Sequence, residues 1–177
     1  MNQLCRVVLA VLALMPAAGL AQVQVLGFEI GVATAADVKK QLAKQTRVTD
    51  AGTNKFSNGP MLRTDGAGYE IESLNNVLYI FDGDQKLAAV IMTMGKHRFN
   101  DIFGFVSSKY KVKAQQRPFV GDQYARLLAP NTVIELDAPH LGFSLDVRYI
   151  RQDLFEKFNA QTQQETQQKR TTEKGRF

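Results

Sequence analysis

Two apolar runs, Val77-Leu78-Tyr79-Ile80-Phe81 and Leu87-Ala88-Ala89-Val90-Ile91-Met92, flank the tetrad Asp82-Gly83-Asp84-Gln85. Turn-forming residues between two β-branched and aromatic runs are hairpin chemistry. Neither run alternates with polar residues, so both faces of each strand need cover. These strands are expected to lie centrally in a sheet and to be covered on at least one side by a helix.

The helices are legible on either side. Phe99, Ile102, Phe103, Val106 and Tyr110 follow the i, i+3, i+4, i+7 spacing of an amphipathic face and predict a helix over 98–110, begun at Asn100 or at Lys96-His97. Upstream, Thr34-Ala35-Ala36-Asp37 has capping-box character, with Asp where Glu is usual. Ala35, Val38 and Leu42 then share a face, leaving Lys39, Lys40 and Lys44 outside.

Further strands complete the sheet. Val23 to Ile30 predicts one strand ended by Gly31, and the Gly-, Asn- and Ser-rich stretch 47–68 predicts short strands and a mobile loop. Segments 124–128, 132–136 and 143–149 are strand-like. In the last, Phe143, Leu145, Val147 and Tyr149 alternate with Ser144, Asp146 and Arg148, which gives one wet face. Asp153 starts a short helix carrying Leu154, Phe155 and Phe158. Residues 159–177 hold no large apolar side chain before Phe177, and are expected to be a disordered tail or a frayed extension of that helix.

The expected fold is therefore α+β: an antiparallel sheet with helices on one face, in a single domain over 22–158. Asp37-Val38, Leu42 and Arg47-Val48 recur 64 positions later as Asp101-Ile102, Val106 and Lys111-Val112. The match suits two helix-plus-strands repeats, 22–95 and 96–158. It also suits coincidence, because amphipathic helices share such spacing.

Residues 1–21 read as a Sec-type signal peptide. Arg6 precedes the apolar run Val7 to Met15, Pro16 breaks it, and Gly19 and Ala21 supply the small side chains of a cleavage site after Ala21. The run is shorter than the roughly 20 residues that span a bilayer. The expected mature chain is periplasmic or secreted and not membrane-spanning, with 156 residues and a charge of +4. Cys5 is the only cysteine, so that mature chain holds no disulfide, thiolate nucleophile or zinc–cysteine site.

Gly31-Val32-Ala33-Thr34-Ala35-Ala36-Asp37-Val38, with Leu42 beyond it, resembles the signature that opens BamE/SmpA-like outer-membrane lipoprotein domains. The tandem β-lactamase-inhibitor-protein fold has a similar look, and the hairpin from Tyr79 to Leu87 is similar to those in such modules. This chain departs from them in lacking a lipid-bearing cysteine and cysteine pairs. The resemblance implies a periplasmic protein-binding or scaffolding module.

Catalytic chemistry finds no pattern to stand on. His97 lies between Lys96 and Arg98, His140 is in a distant loop, and no third ligand is suitably spaced, so neither a metal nor a cofactor is expected. No serine occupies a Gly-x-Ser-x-Gly elbow. Glu70 with Glu72, and Asp82 with Asp84, are read as a wet strand face and a turn, not as acid/base pairs.

One charge pattern stands out. Lys109, Lys111 and Lys113 alternate and Arg117 follows, giving a basic stripe for an anionic partner or a guard against edge-to-edge pairing. The leading expectation is a non-enzymatic module that binds another envelope protein through its sheet face or edge. Loops at 54–68 and 130–142 are secondary surfaces, and anionic lipid or lipopolysaccharide is a further partner class. Export argues against nucleic acid. The alternative is a carrier of an apolar small molecule or lipid, with Phe99, Phe103 and Phe105 lining its pocket.

Overall fold

The computed structural model describes residues 22–177; the segment read as a signal peptide lies outside the described residues. Strands β1 (Gln24–Val25) and β2 (Phe28–Glu29) form a two-residue hairpin where one strand was expected. Leu26 and Gly27 have φ of 52° and 84°. Positive φ at both central residues is the geometry of the tight hairpin turn, and Leu26 gives no warning of it in sequence.

Helix α1 (Ala35–Leu42) follows. The Thr34 hydroxyl oxygen accepts the Asp37 N–H at 3.2 Å and the same hydroxyl donates to the Asp37 carboxylate at 2.6 Å, so the capping residues act as expected. Val38 and Leu42 are fully buried. Then come β3 (Val48–Thr53), β4 (Asn58–Asp65), β5 (Leu74–Asp82) and β6 (Leu87–Gly95). A 3₁₀ turn (Lys96–Arg98) leads into α2 (Phe99–Ser107), followed by β7 (Lys111–Gln116), β8 (Gln123–Ala129), β9 (Thr132–Ala138) and β10 (Ser144–Arg151). Of the stretches 54–68 and 130–142, expected as exposed secondary surfaces, the first is largely taken up by β4 and the second by the mostly buried β9, which contains the strand expected at 132–136.

These eight strands form one antiparallel sheet in the order β3-β4-β5-β6-β10-β9-β8-β7. Each half is a helix followed by a four-stranded meander, and the halves meet where β6 pairs with β10. α1 and α2 begin 64 positions apart, whereas β6 and β10 begin 57 apart. The spacing shrinks because β4 and β5 are joined by residues 66–73, but β8 and β9 by the two-residue turn 130–131.

The inner face of the sheet carries the main core under α1 and α2. One row across it reads Leu62, Tyr79, Val90, Tyr149, Ile134 and Leu127. Tyr79 is wholly buried, yet its hydroxyl lies 3.0 Å from that of Tyr69, which reaches Thr64 at 2.7 Å. The chain of hydroxyls satisfies a polar group that would otherwise be costly in the core. Burial, followed by the Tyr69 hydrogen bond, raises the Tyr79 pKa above its ordinary value.

The last helix differs from expectation in length and place. α3 runs Gln152–Lys174, through the segment expected to be disordered or frayed. Its Gln-, Glu- and Lys-rich sequence has good helix propensity and i, i+4 bonds from Gln152 to Glu156 and Gln161 to Glu165. It packs on the outer face, opposite α1 and α2, through Leu154 against Ile80, Ala88 and Ala89.

Candidate functional site

Strand alternation sorts the outer face into three rows. The first, Met61, Ile80, Ala89, Ile150, Val133 and Leu128, is apolar and lies against α3. The second runs Arg63, Leu78, Ile91, Arg148, Glu135 and Arg126. The third runs Asn76, Thr93, Asp146, Asp137 and Tyr124. No described helix packs over the third row; on the second, Arg126 lies 5.0 Å from the Phe155 ring of α3, Leu78 and Ile91 pack against the cluster around Leu154, and both rows retain partial exposure except at Glu135.

Charges on the open rows pair with one another. Arg148 reaches Asp146 at 3.0 Å and Asp137 at 3.2 Å, and the Thr93 hydroxyl donates to Asp146 at 2.9 Å. Glu135 Oε1 accepts from Arg126 at 2.8 and 3.0 Å and from the Tyr124 hydroxyl at 2.9 Å. Burial would lower the Arg148 pKa, but the Asp146 hydrogen bond and the surrounding carboxylates raise it, so the guanidinium stays charged. Tyr124 is pushed up to about 12, by burial first and then by the Glu135 charge.

Beside this network a groove of about 310 Å³ opens between the sheet and α3. Phe56, Ile80, Ile91, Ile150, Leu154 and Phe158 form its apolar lining, with Asn54, Glu135 and Arg148 at polar positions. Phe56 and Phe158 meet edge to face at 5.0 Å, and Lys55 pairs with Glu165 at 3.6 Å outside them. Arg151 fixes the start of α3: it bonds Asp82 in the β5–β6 turn at 2.7 Å and Asp153 at 2.6 and 2.9 Å.

The basic stripe is divided. Lys109 precedes β7, in the turn after α2. Lys111 pairs with Leu128, on the outer face, while Lys113 sits at a register shift between Val112 and Ala114. Lys113 borders an open trough along α3 with Leu128 and Phe155. Arg117 lies instead beside α2, 4.5 Å from the Phe103 ring and 2.8 Å from Asn100. The bulge and the change of face keep the four cations from forming one straight row.

Phe99 is buried and stacks 6.4 Å from Phe103, while Phe105 points to solvent, so these three rings do not line a common pocket. His97 and His140 are exposed, and among the described residues no three His, Cys, Asp or Glu side chains converge as a metal site would require.

Sequence reasoning identified Asp146 and Arg148 as a wet face but missed their partners. The available signal was the spacing of polar or charged side chains two apart in Tyr124-Ala-Arg126, Glu135-Leu-Asp137 and Asp146-Val-Arg148. Only strand register joins the three pairs. No family model, curated protein or solved structure matches the chain.

Proposed function

We propose that the chain is an exported, non-enzymatic binding module that takes an envelope protein on the open rows of its outer sheet face. Size supports a macromolecular partner. The longer open row crosses six strands, which at about 4.8 Å spacing make a surface about 24 Å across, more than a small molecule covers. Leu78 and Ile91 supply apolar contact beside the paired charges, and the groove under α3 accepts one anchoring apolar side chain. The observation that carries this reading is the coexistence of that groove with a face α3 leaves partly uncovered.

Face docking is favoured over edge docking. Both edge strands, β3 and β7, have a register shift, and β7 also carries Lys111 and Lys113. Bulges and lysines discourage strand addition.

The test is affinity capture from envelope extract, with the mass of the accumulated protein read to find whether it begins at Gln22. A stoichiometric partner should be lost by Leu78→Ser with Ile91→Ser and kept by the triple Lys109, Lys111 and Lys113→Ser variant. Loss confined to the lysine variant would overturn face docking. The groove also favours a second reading, a carrier of an apolar small molecule, because its volume reaches the lower end of ligand pockets. Native mass spectrometry showing such a molecule bound, with no protein captured, would put the carrier first.

A further inference from the structure

Two neighbouring loops at one end of the sheet are built alike. Residues 117–122 join β7 to β8 and contain Pro118-Phe119-Val120-Gly121; residues 139–143 join β9 to β10 and contain Pro139-His140-Leu141-Gly142. In each, the glycine folds back toward the proline three positions before it. A β-carbon at Gly121 would meet Pro118 Cγ at 3.2 Å, and one at Gly142 would meet the Pro139 oxygen at 3.5 Å. Gly121 also has a φ of 130°, which few other residues adopt. The Asp122 carboxylate accepts the His140 N–H at 2.6 Å and ties the loops together.

Such narrow turns leave their apolar side chains outside. Phe119 is 104 % exposed, Val120 68 %, Leu141 89 % and Phe143 94 %. Phe143 was expected to point inward with Leu145, but β10 begins only at Ser144, opposite Gly95. Single exposed apolar residues need no explanation; four on two tethered tips do.

At the base of these tips two cations, Lys96 and Arg117, stand beside one carboxylate, Asp122. Lys96 Nζ donates to the Pro139 and His140 carbonyls, and Arg117 to Asn100. Among the described residues neither forms an ion pair with a carboxylate, whereas Glu72 and Asp101 at this end are both held by Arg98.

We propose that this end of the sheet docks on an anionic phospholipid surface, with Phe119, Val120, Leu141 and Phe143 entering the headgroup boundary and Lys96 and Arg117 facing the phosphates. Two convex tips would require two matched holes in a rigid protein partner, but a fluid interface closes around them. Apolar insertion backed by basic residues is the usual basis of reversible membrane attachment. The docking end is separate from the outer face, so either proposal can fail without the other.

The test is flotation with vesicles of phosphatidylethanolamine containing about one quarter phosphatidylglycerol, an anionic surface. The protein is the form that accumulates from the full-length gene. It should float with these vesicles, and less so at high salt. Phe119→Ser with Leu141→Ser should weaken partitioning about a hundredfold, roughly tenfold per tip. Phe105→Ser, which changes an exposed ring outside the loops, should leave it unchanged. Circular dichroism of each variant verifies folding. Absence of wild-type flotation overturns the proposal, as does equal flotation of the folded double variant, which would place attachment elsewhere. Loss of a captured protein by the loop variant, without vesicle binding by the wild type, would assign the tips to a protein and also overturn it.

Discussion

Arg151→Met tests whether one guanidinium sets the path of α3 over the groove. In the folded chain Arg151 holds Asp82 and Asp153 together. The Arg151 and Asp82 side chains are only 24 % and 18 % exposed, so leaving Asp82 without its partner costs about 2 kcal/mol, below the figure for a fully dry pair. Asp153 is half exposed and screened, and adds about 0.5 kcal/mol. A total near 2.5 kcal/mol corresponds to a fall in Tm of about 5–10 °C for a domain of this size. Burial would raise the Asp82 pKa, but hydrogen bonds from Arg151 and from the Lys86 and Asp84 N–H groups hold it below the ordinary value; the Arg151 hydrogen bond chiefly lowers Asp153. Both carboxyls therefore bind protons less readily in the folded state. Their contribution is present above the unfolded carboxyl pKa of about 4 and is lost as pH falls through the folded values. Urea unfolding followed by circular dichroism should show the full gap between wild type and variant at about pH 7, shrinking below about pH 4. A gap below about 0.5 kcal/mol at neutral pH, or one that stays constant on acidification, would refute the ion-pair account.

Gly66→Ala should destabilise by about 3 kcal/mol or more, since its β-carbon would collide with the Leu74 carbonyl across the β4–β5 connection; Gly83→Ala, open on every side, should stay within about 0.5 kcal/mol, and equal values for the two in urea unfolding would refute the assignment of a steric role. Glu135→Gln should bring Tyr124 ionisation down from about 12 toward the ordinary value near 10, read by ultraviolet titration against Tyr124→Phe; an unchanged curve would leave burial as the sole cause.

What could be read from sequence was local. The β5–β6 hairpin, the Thr34 cap and the buried faces of α1 and α2 depend on residues a few positions apart, and each is found where its pattern lies. The outer-face network depends on two strand registers at once: Asp146 opposite Asp137, and Glu135 opposite Arg126. No pattern within one strand specifies those pairings. The segment after Phe158 was left open between a disordered tail and a frayed helix for a different reason. Composition shows that it has little apolar surface to bury, but the same Gln, Glu, Lys and Arg residues also suit a solvated helix. The basic stripe failed as a straight row because alternation assumes a regular strand, and the register shifts beside Lys113.

The division of labour on the outer face follows from what a broad sheet must avoid. Uncovered apolar rows would make a self-associating surface, and α3 removes that hazard where Ile80, Ala89 and Ile150 are densest. The remaining rows are kept wet by charges that already pair with one another: Arg148, shared between Asp146 and Asp137, and Arg126 with Glu135. A partner seated there would meet preassembled pairs, so docking would not have to leave a buried charge alone, the most costly outcome at an interface. Leu78 and Ile91 lie between this network and the groove, where they can supply apolar contact without making the whole face adhesive. Specificity on such a face would come from the spacing of fixed charges around a small apolar centre, and rigidity of the sheet is what fixes that spacing.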